Sequence, residues 1–303
     1  MRNHISLQSC TAEAVPARNR TLGLGLVLGA GGIRGCAHAG VIQALLEEAL
    51  PIDVVVGASV GSIFGLGLAA GLPTEYLARV AREANPAQML RFYAGRLRPG
   101  NSNPIGRMLN EAGAGRTFAD LSLPFAVLTT DMATGRPVVI DTGPVLPAVQ
   151  ASIAVPFIAR PVPLNGRFLV DGGLLDTAPV SVARDMGARR VLAVCLGYNY
   201  LAPRTLRKRP WTRRVVESLG KRPPKSGSLL DQVRFAARLL EMSYERPLPA
   251  QDADVAIWPE FGKVGPNSMF GASFCFQQGI DAAREALPRV RNLVTESRHD
   301  LGA

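Results

Sequence analysis

Three short runs of residues have the types and spacing needed for chemistry. The first is Gly57-Ala58-Ser59-Val60-Gly61, between the apolar run Ile52–Val56 and a small-residue stretch of helical character. A serine at a sharp strand-to-helix turn, with glycines two residues to either side, is a nucleophile-elbow pattern. The turn lifts Oγ above the sheet, and the following helix points its N-terminus at developing negative charge. The plain alternative is a tight turn with no chemistry. The second run is Gly29-Ala30-Gly31-Gly32-Ile33-Arg34-Gly35, again between a strand-like and a helix-like segment. One reading is a dinucleotide phosphate cradle, with Gly29 and Gly31 opening the pattern and Asp53 available for ribose. Arg34, however, stands where the third glycine belongs. The other reading is an oxyanion hole built from glycine N–H groups at a helix N-terminus, with a cation nearby. The nucleotide reading has no use for a serine on the next strand, whereas the oxyanion reading requires one.

The third run is Asp171-Gly172-Gly173, at the end of the strand-like Arg167–Val170. A carboxylate is of interest because imidazole is scarce: the chain has only His4, His38 and His299. A Ser-His-Asp triad on this type of fold needs a histidine after the serine and the acid, and only His299 qualifies. His38 falls in the helix after the glycine loop, where packing and helix hydrogen bonding account for it. A buried carboxylate bonded directly to the serine hydroxyl could act as base if desolvation raised its basicity. Asp171 is the candidate and Asp131, at the end of Phe125–Thr130, the competitor. An Asx turn at a strand end is the ordinary explanation for either.

These runs need elements to hold them. Leu22–Leu28 and Ile52–Val56 read as buried strands, each followed by a helical pattern, to about Glu48 and over Val60–Ala70. Pro73 opens a further helix. Phe125–Thr130 and Pro137–Asp141 form a strand pair turned by Thr134-Gly135. Leu146–Ile153 reads as a helix stopped by Pro156. Arg190–Cys195 and Val255–Pro259 read as strands, with helices over Leu229–Met242 and Phe276–Ala286. Strands alternating with helices imply an α/β fold with a mainly parallel sheet covered on both faces. In the helical pattern that runs to about Glu48 the apolar face is Val41, Leu45 and Leu46. The expected organisation is a loose tail over 1–20, one domain over 21–296 and a C-terminal tail over 297–303.

The 303 residues, 47% hydrophobic and 19% charged, suffice for one sizeable core and exclude a disordered or fibrous chain. No run matches the ~20 apolar residues of a membrane span. Cys10, Cys36, Cys195 and Cys275 form no CxxC and read as reduced thiols, which points to the cytoplasm. Three histidines make a zinc site improbable. The net charge of +10 is concentrated: Leu201–Lys225 carries nine basic residues against Glu217 alone. That stretch, within a basic insertion or lid at 201–228, suits an anionic surface. A solvated loop with no partner is the alternative. Phospholipid is preferred over nucleic acid because Trp211 lies among the cations.

The three runs, in this order, resemble the patatin-like phospholipase family, and Ala151-Ser152-Ile153-Ala154-Val155-Pro156-Phe157 resembles its segment upstream of the aspartate. The likeness runs from about Leu24 to Leu196 and is most similar to the small bacterial single-domain members. It implies a three-layer α/β/α fold and a catalytic dyad of Ser59 and Asp171. It also implies an oxyanion hole at Gly31, Gly32 and Arg34, with Gly29, Gly35, Gly57, Gly61, Gly172 and Gly173 supporting the motifs. The implied activity is hydrolysis of phospholipid or lysophospholipid esters, with no metal or cofactor. Acyl transfer or thioester cleavage on the same dyad, and a non-catalytic nucleotide- or lipid-binding role, remain as alternatives. Ala30 departs from the family by standing where many members have glycine. It is harmless if its φ is ordinary.

Overall fold

The computed structural model describes residues 22–85, 103–197, 250–266, 268 and 270–299. The expected tail over 1–20, the basic stretch Arg204–Lys225 and the expected helix Leu229–Met242 lie outside the described residues.

In chain order the elements are strand β1 (Leu22–Leu28), a 3-10 turn (Gly32–Gly35) and helix α1 (Cys36–Glu47), then β2 (Val54–Ala58), α2 (Val60–Ala69) and α3 (Thr74–Glu83). Helix α4 (Pro104–Gly113), strands β3 (Phe125–Asp131) and β4 (Pro137–Ile140), and helix α5 (Val145–Ser152) follow. The last part holds β5 (Val162–Leu164), β6 (Arg167–Asp171), a 3-10 turn (Gly172–Leu174), α6 (Val180–Asp185), β7 (Ala188–Val194), β8 (Val255–Ile257) and α7 (Ala272–His299). They form one eight-stranded sheet in the order β5-β6-β3-β2-β1-β7-β8, with β4 also paired to β3. The run β3-β2-β1-β7-β8 is parallel; β4 pairs antiparallel along the other edge of β3, while β6, with β5 antiparallel to it, pairs antiparallel with the end of β3 beyond the reach of β2.

Strands buried on both faces read as unbroken apolar runs, and alternate residues serve opposite layers. Leu24, Leu26, Leu28, Val55 and Phe125 pack with α1, α2, α3, α4, α5 and α7. Val27, Val54, Val56 and Ala126 pack with Val180, Val182 and Ala183 of α6. This is the three-layer arrangement the strand–helix alternation predicts. Helix α2 is buried at every residue, as its small apolar composition requires.

Several boundaries differ from the sequence expectation. Strand β2 runs on through Gly57 to Ala58, because Gly57 and Ala58 pair with Val127 and Leu128. Leu46 is 38% exposed rather than on the buried face of α1. Helix α7 is longer at both ends than Phe276–Ala286. Its buried stripe includes Phe276, Ile280, Ala283 and Val290. Gly279 lies against Ala37 O and Gly40 against Phe276 O, so α1 and α7 cross almost backbone to backbone. Cys36, Cys195 and Cys275 are free and buried, as expected. Among the described residues, no helix is long and apolar enough to cross a membrane.

Candidate active site

The register of β3 explains how residues 112 apart in sequence meet. Strand β2 pairs with Phe125–Leu128 in parallel, ending at Ala58 opposite Leu128. Strand β6 pairs antiparallel with the next residues, ending with Asp171 opposite Thr129. Both use the same edge of β3. Pro124 O accepts from Val55 N and Met132 N donates to Phe168 O, and residues an even number apart turn their backbone groups to one side of a strand. Asp131 N turns to the other side, to Arg136 O of the β4 hairpin. The strands β2 and β6 therefore run towards each other and stop head to head. Ser59 follows the end of one, and Asp171 is the end of the other.

Ser59 sits at φ 53°, ψ −126°, a left-handed conformation that costs a non-glycine residue on the order of 1–3 kcal/mol. As N-cap of α2 its hydroxyl would ordinarily accept from the first turn, but it makes no cap bond. Ser59 Oγ instead donates to Asp171 Oδ2 at 2.6 Å. Ser62 Oγ donates to Ser59 O at 2.6 Å, and Ser59 N donates to Ser152 Oγ at 3.0 Å.

Asp171 is 4% exposed. Its Oδ1 accepts from Gly173 N at 2.7 Å, and its backbone O accepts from Thr130 Oγ1 at 2.9 Å. Burial pushes its carboxyl up to about 7, against the smaller opposing effects of the bonds from Ser59 and Gly173. Desolvation thus wins over hydrogen bonding, which is the condition for a carboxylate to act as a base near neutrality.

The glycine loop adjoins this pair. A Cβ on Gly61 would overlap Leu28 O, one on Gly35 would overlap the Val60 side chain, and one on Gly173 would overlap Ala30 Cβ and stand 3.7 Å from Ser59 Cβ. These glycines are where the three runs press on one another. Gly29, Gly57 and Gly172 likewise lie against backbone, of Thr177 and Val194, Ser62, and Leu128 respectively. Gly32 has φ +53° and faces Pro266 O, so a side chain there would be both strained and obstructed. Ala30 is not among the positive-φ residues, so its departure from glycine is harmless.

Within the loop, Ala30 N donates to Thr177 O, Ile33 N to Pro266 O and Arg34 N to Gly31 O. Among the described residues Gly31 N and Gly32 N have no such partner. Arg34 N makes the turn bond within the loop, and its side chain reaches outward. Its Nε donates to Val264 O at 2.7 Å and its Nη1 to Leu196 O at 3.1 Å, with Phe261 under the guanidinium at 5.0 Å. It ties the loop to the segments after β7 and β8.

The competing assignments have local explanations. Asp131 Oδ1 accepts from Ala133 N and Oδ2 from Thr134 Oγ1, an Asx turn closing the β3–β4 hairpin. Asp53 Oδ2 accepts from Leu24 N at 2.8 Å, at the opposite end of β1 from the glycine loop, about 16 Å away at strand rise. It cannot reach a ligand on that loop, so the ribose assignment fails. His38 is fully buried on α1, with Nε2 2.7 Å from Gly29 O. A carbonyl only accepts, so Nε2 carries the proton and is not available to take one. Burial lowers His38 to about 4, which keeps it neutral. Accordingly, His38→Gln combined with truncation before His299 is expected to keep the catalytic rate within about tenfold. A loss of several orders of magnitude at unchanged melting temperature would put an imidazole in the reaction. Sequence reasoning gives Ser152 no role, although it lies in the Ala151–Phe157 run. A buried serine reveals its bonds only when the fold is known.

Fold and site together define an α/β protein that carries a directly bonded serine–aspartate pair beside a glycine loop. The Patatin-like phospholipase family model matches residues 26–184, more than half of the chain, and the chain belongs to that family. It is 38% identical to lysophospholipase NTE1 of Mycosarcoma maydis over 183 residues, 58% of this chain and 10% of the relative. It is 34% identical to an uncharacterised NTE family protein of Mycobacterium tuberculosis over 184 residues, 59% of this chain and 50% of the relative. The chain thus spans at most about half the length of these relatives. VipD from Legionella pneumophila shares the fold at a TM-score of 0.50 and 14% identity, covering 91% of this chain and 67% of that one.

Proposed function

We propose that the protein is a serine acyl hydrolase of phospholipid or lysophospholipid esters, with Ser59 as nucleophile and Asp171 as its base. The observation that carries this reading is the 2.6 Å bond from Ser59 Oγ to Asp171 Oδ2 in a buried, strained elbow. The name of the 38%-identical relative, a lysophospholipase, supports the substrate class.

In the first step Ser59 Oγ attacks the ester carbonyl carbon while Asp171 Oδ2 takes the hydroxyl proton. The tetrahedral oxyanion accepts from Gly31 N and Gly32 N, helped by the N-terminus of α2. Collapse breaks the C–O bond, and Asp171 returns the proton to the leaving alcohol. Water then attacks the acyl-serine, Asp171 takes its proton, and the carboxylic acid leaves as Ser59 recovers its hydrogen. One carboxylate serves as base and acid in turn, and its elevated proton affinity suits both roles.

The direct test is labelling with a fluorophosphonate, followed by a panel of esters of varied chain length and head group. Stoichiometric labelling at Ser59 with turnover of lysophospholipid is expected. An unlabelled, inactive protein would remove the enzyme reading.

The same reading extends to peripheral contact with an anionic membrane through Arg204–Lys225. Each basic residue near such a surface contributes roughly 1 kcal/mol, so four engaged residues would hold the protein there. Vesicle sedimentation with phosphatidylserine is expected to retain the wild type at low salt and release it at 1 M, where the Debye length is about 3 Å. Changing Arg207, Lys208, Arg209, Arg213 and Arg214 to Gln should abolish retention. Equal binding of both proteins would end the lipid assignment of this stretch.

A further inference from the structure

The segment Ser152-Ile153-Ala154 takes no part in the reaction just described, yet it holds both members of the pair by their backbones. Ser152, the last residue of α5, is fully buried. Its Oγ accepts from Ser59 N at 3.0 Å and donates to Leu128 O at 2.8 Å. Two residues later Ala154 O accepts from Asp171 N at 3.0 Å. Leu128 is the β3 residue opposite Ala58, where the β2 ladder ends, and Asp171 lies opposite the next residue, Thr129. The hydroxyl of Ser152 therefore closes the gap between the two converging strand ends.

The elbow needs such a closure. At φ 53°, ψ −126° Ser59 has left the β2–β3 ladder, and its N–H would otherwise be buried without a partner. A strained residue keeps its conformation only when its surroundings over-determine it. Ser62 restrains the carbonyl side of Ser59, and Ser152 restrains the amide side. We propose that Ser152 is a positioning residue for the Ser59–Asp171 pair, its hydroxyl latching the strained elbow to β3 so that Ser59 Oγ stays within bonding reach of the carboxylate. The inference rests on the reading of Ser59 as nucleophile and Asp171 as base.

Removal of the latch lets the elbow relax and lengthens the Ser59–Asp171 bond. Two effects follow. Misplacement by a fraction of an ångström to one ångström costs up to about 10²-fold in the chemical step. The bond from Ser59 also lowers the proton affinity of Asp171, together with that from Gly173, and no charged side chain among the described residues acts on it. Weakening the bond therefore moves the titration of Asp171 upward.

The test uses the full chain with Ser152→Ala and the near-isosteric Ser152→Cys, whose thiol is a weak acceptor. Val149→Ala, a buried cavity-forming change in the same helix, controls for destabilisation. For both Ser152 variants the expected result is kcat lowered roughly 10- to 100-fold with KM within threefold, and an acid limb of the kcat/KM profile moved to higher pH. Val149→Ala should leave that limb where it is. Wild-type kcat and an unmoved limb in both Ser152 variants, or an equal kcat loss in Val149→Ala, would overturn the latch. A second measurement is independent of turnover: carbon-13 NMR titration of the Asp171 carboxyl in wild type and Ser152→Ala. An upward shift supports the latch even if no ester in the panel is cleaved. An unmoved titration overturns it, whatever becomes of the hydrolase reading.

Discussion

Asp171→Asn and Ser59→Ala are each expected to lower ester turnover by about four orders of magnitude while the far-ultraviolet circular dichroism stays that of the wild type. The size of the effect follows from the geometry. The hydroxyl and the carboxylate share one proton across 2.6 Å, so they act as a unit, and loss of either member costs nearly as much as loss of both. Asparagine preserves the shape of Asp171 and can accept a hydrogen bond, but its amide has no basicity to take the Ser59 proton. His38 does not replace the carboxylate, since its Nε2 is committed to Gly29 O and burial lowers the imidazole to about 4. The comparison that discriminates is Asp131→Asn. Its carboxylate closes the hairpin turn to Ala133 and Thr134, so this change should cost about 1 kcal/mol of stability and leave turnover within a few fold. Steady-state assays on a lysophospholipid and a chromogenic short-chain ester, together with fluorophosphonate labelling, would measure all three variants. Turnover retained in Asp171→Asn and lost in Asp131→Asn would sink the assignment of the base.

What the sequence discloses of this site, and what it hides, divides along physical lines. Residues under severe steric demand are legible. Gly61 and Gly35 press on Leu28 and Val60, and only glycine permits such approach, so the spacing survives as a readable pattern. Buried strands are legible because both faces must be apolar. Pairings made across the fold are not legible in this way. Asp131 and Asp171 both stand at strand ends before turn residues, and only the shared register on β3 separates them. Arg34 reads as part of an oxyanion loop, but its guanidinium bonds lie 162 and 230 residues away, at Leu196 and Val264. Among the elements that went unread, α6 has six residues and β5 three, too short for periodicity to show. Helix α4 did carry its signal, an Asn103 cap accepting from Ile105 N with proline at the first helical position.

Activity and stability are expected to respond to pH in opposite directions across one interval. Asp171 is raised by burial from an ordinary 3.8 to about 7 in the folded protein. A raised carboxyl is protonated in the folded state where the unfolded chain is already ionised. Folding therefore holds an extra proton between about 4 and about 7, and stability falls as pH rises through that interval. The loss is complete above about 7 and amounts to a few kcal/mol at most. Catalysis runs the other way, because the base must be ionised to accept the Ser59 proton. The kcat/KM profile should therefore rise tenfold per pH unit below its limb near 7 and level off above it. Asp171→Asn provides the cross-check on stability. It removes the titrating group, so its melting temperature should lose the part of the pH dependence that Asp171 supplies, and at pH 8 it should equal or exceed that of the wild type. Thermal melts of both proteins from pH 4.5 to 8.5, beside wild-type kcat/KM over the same range, measure both halves. A wild type whose stability climbs relative to Asp171→Asn as pH rises, or whose activity limb lies near 4, would mean that Asp171 is an ordinary ionised carboxylate and not a base tuned by burial.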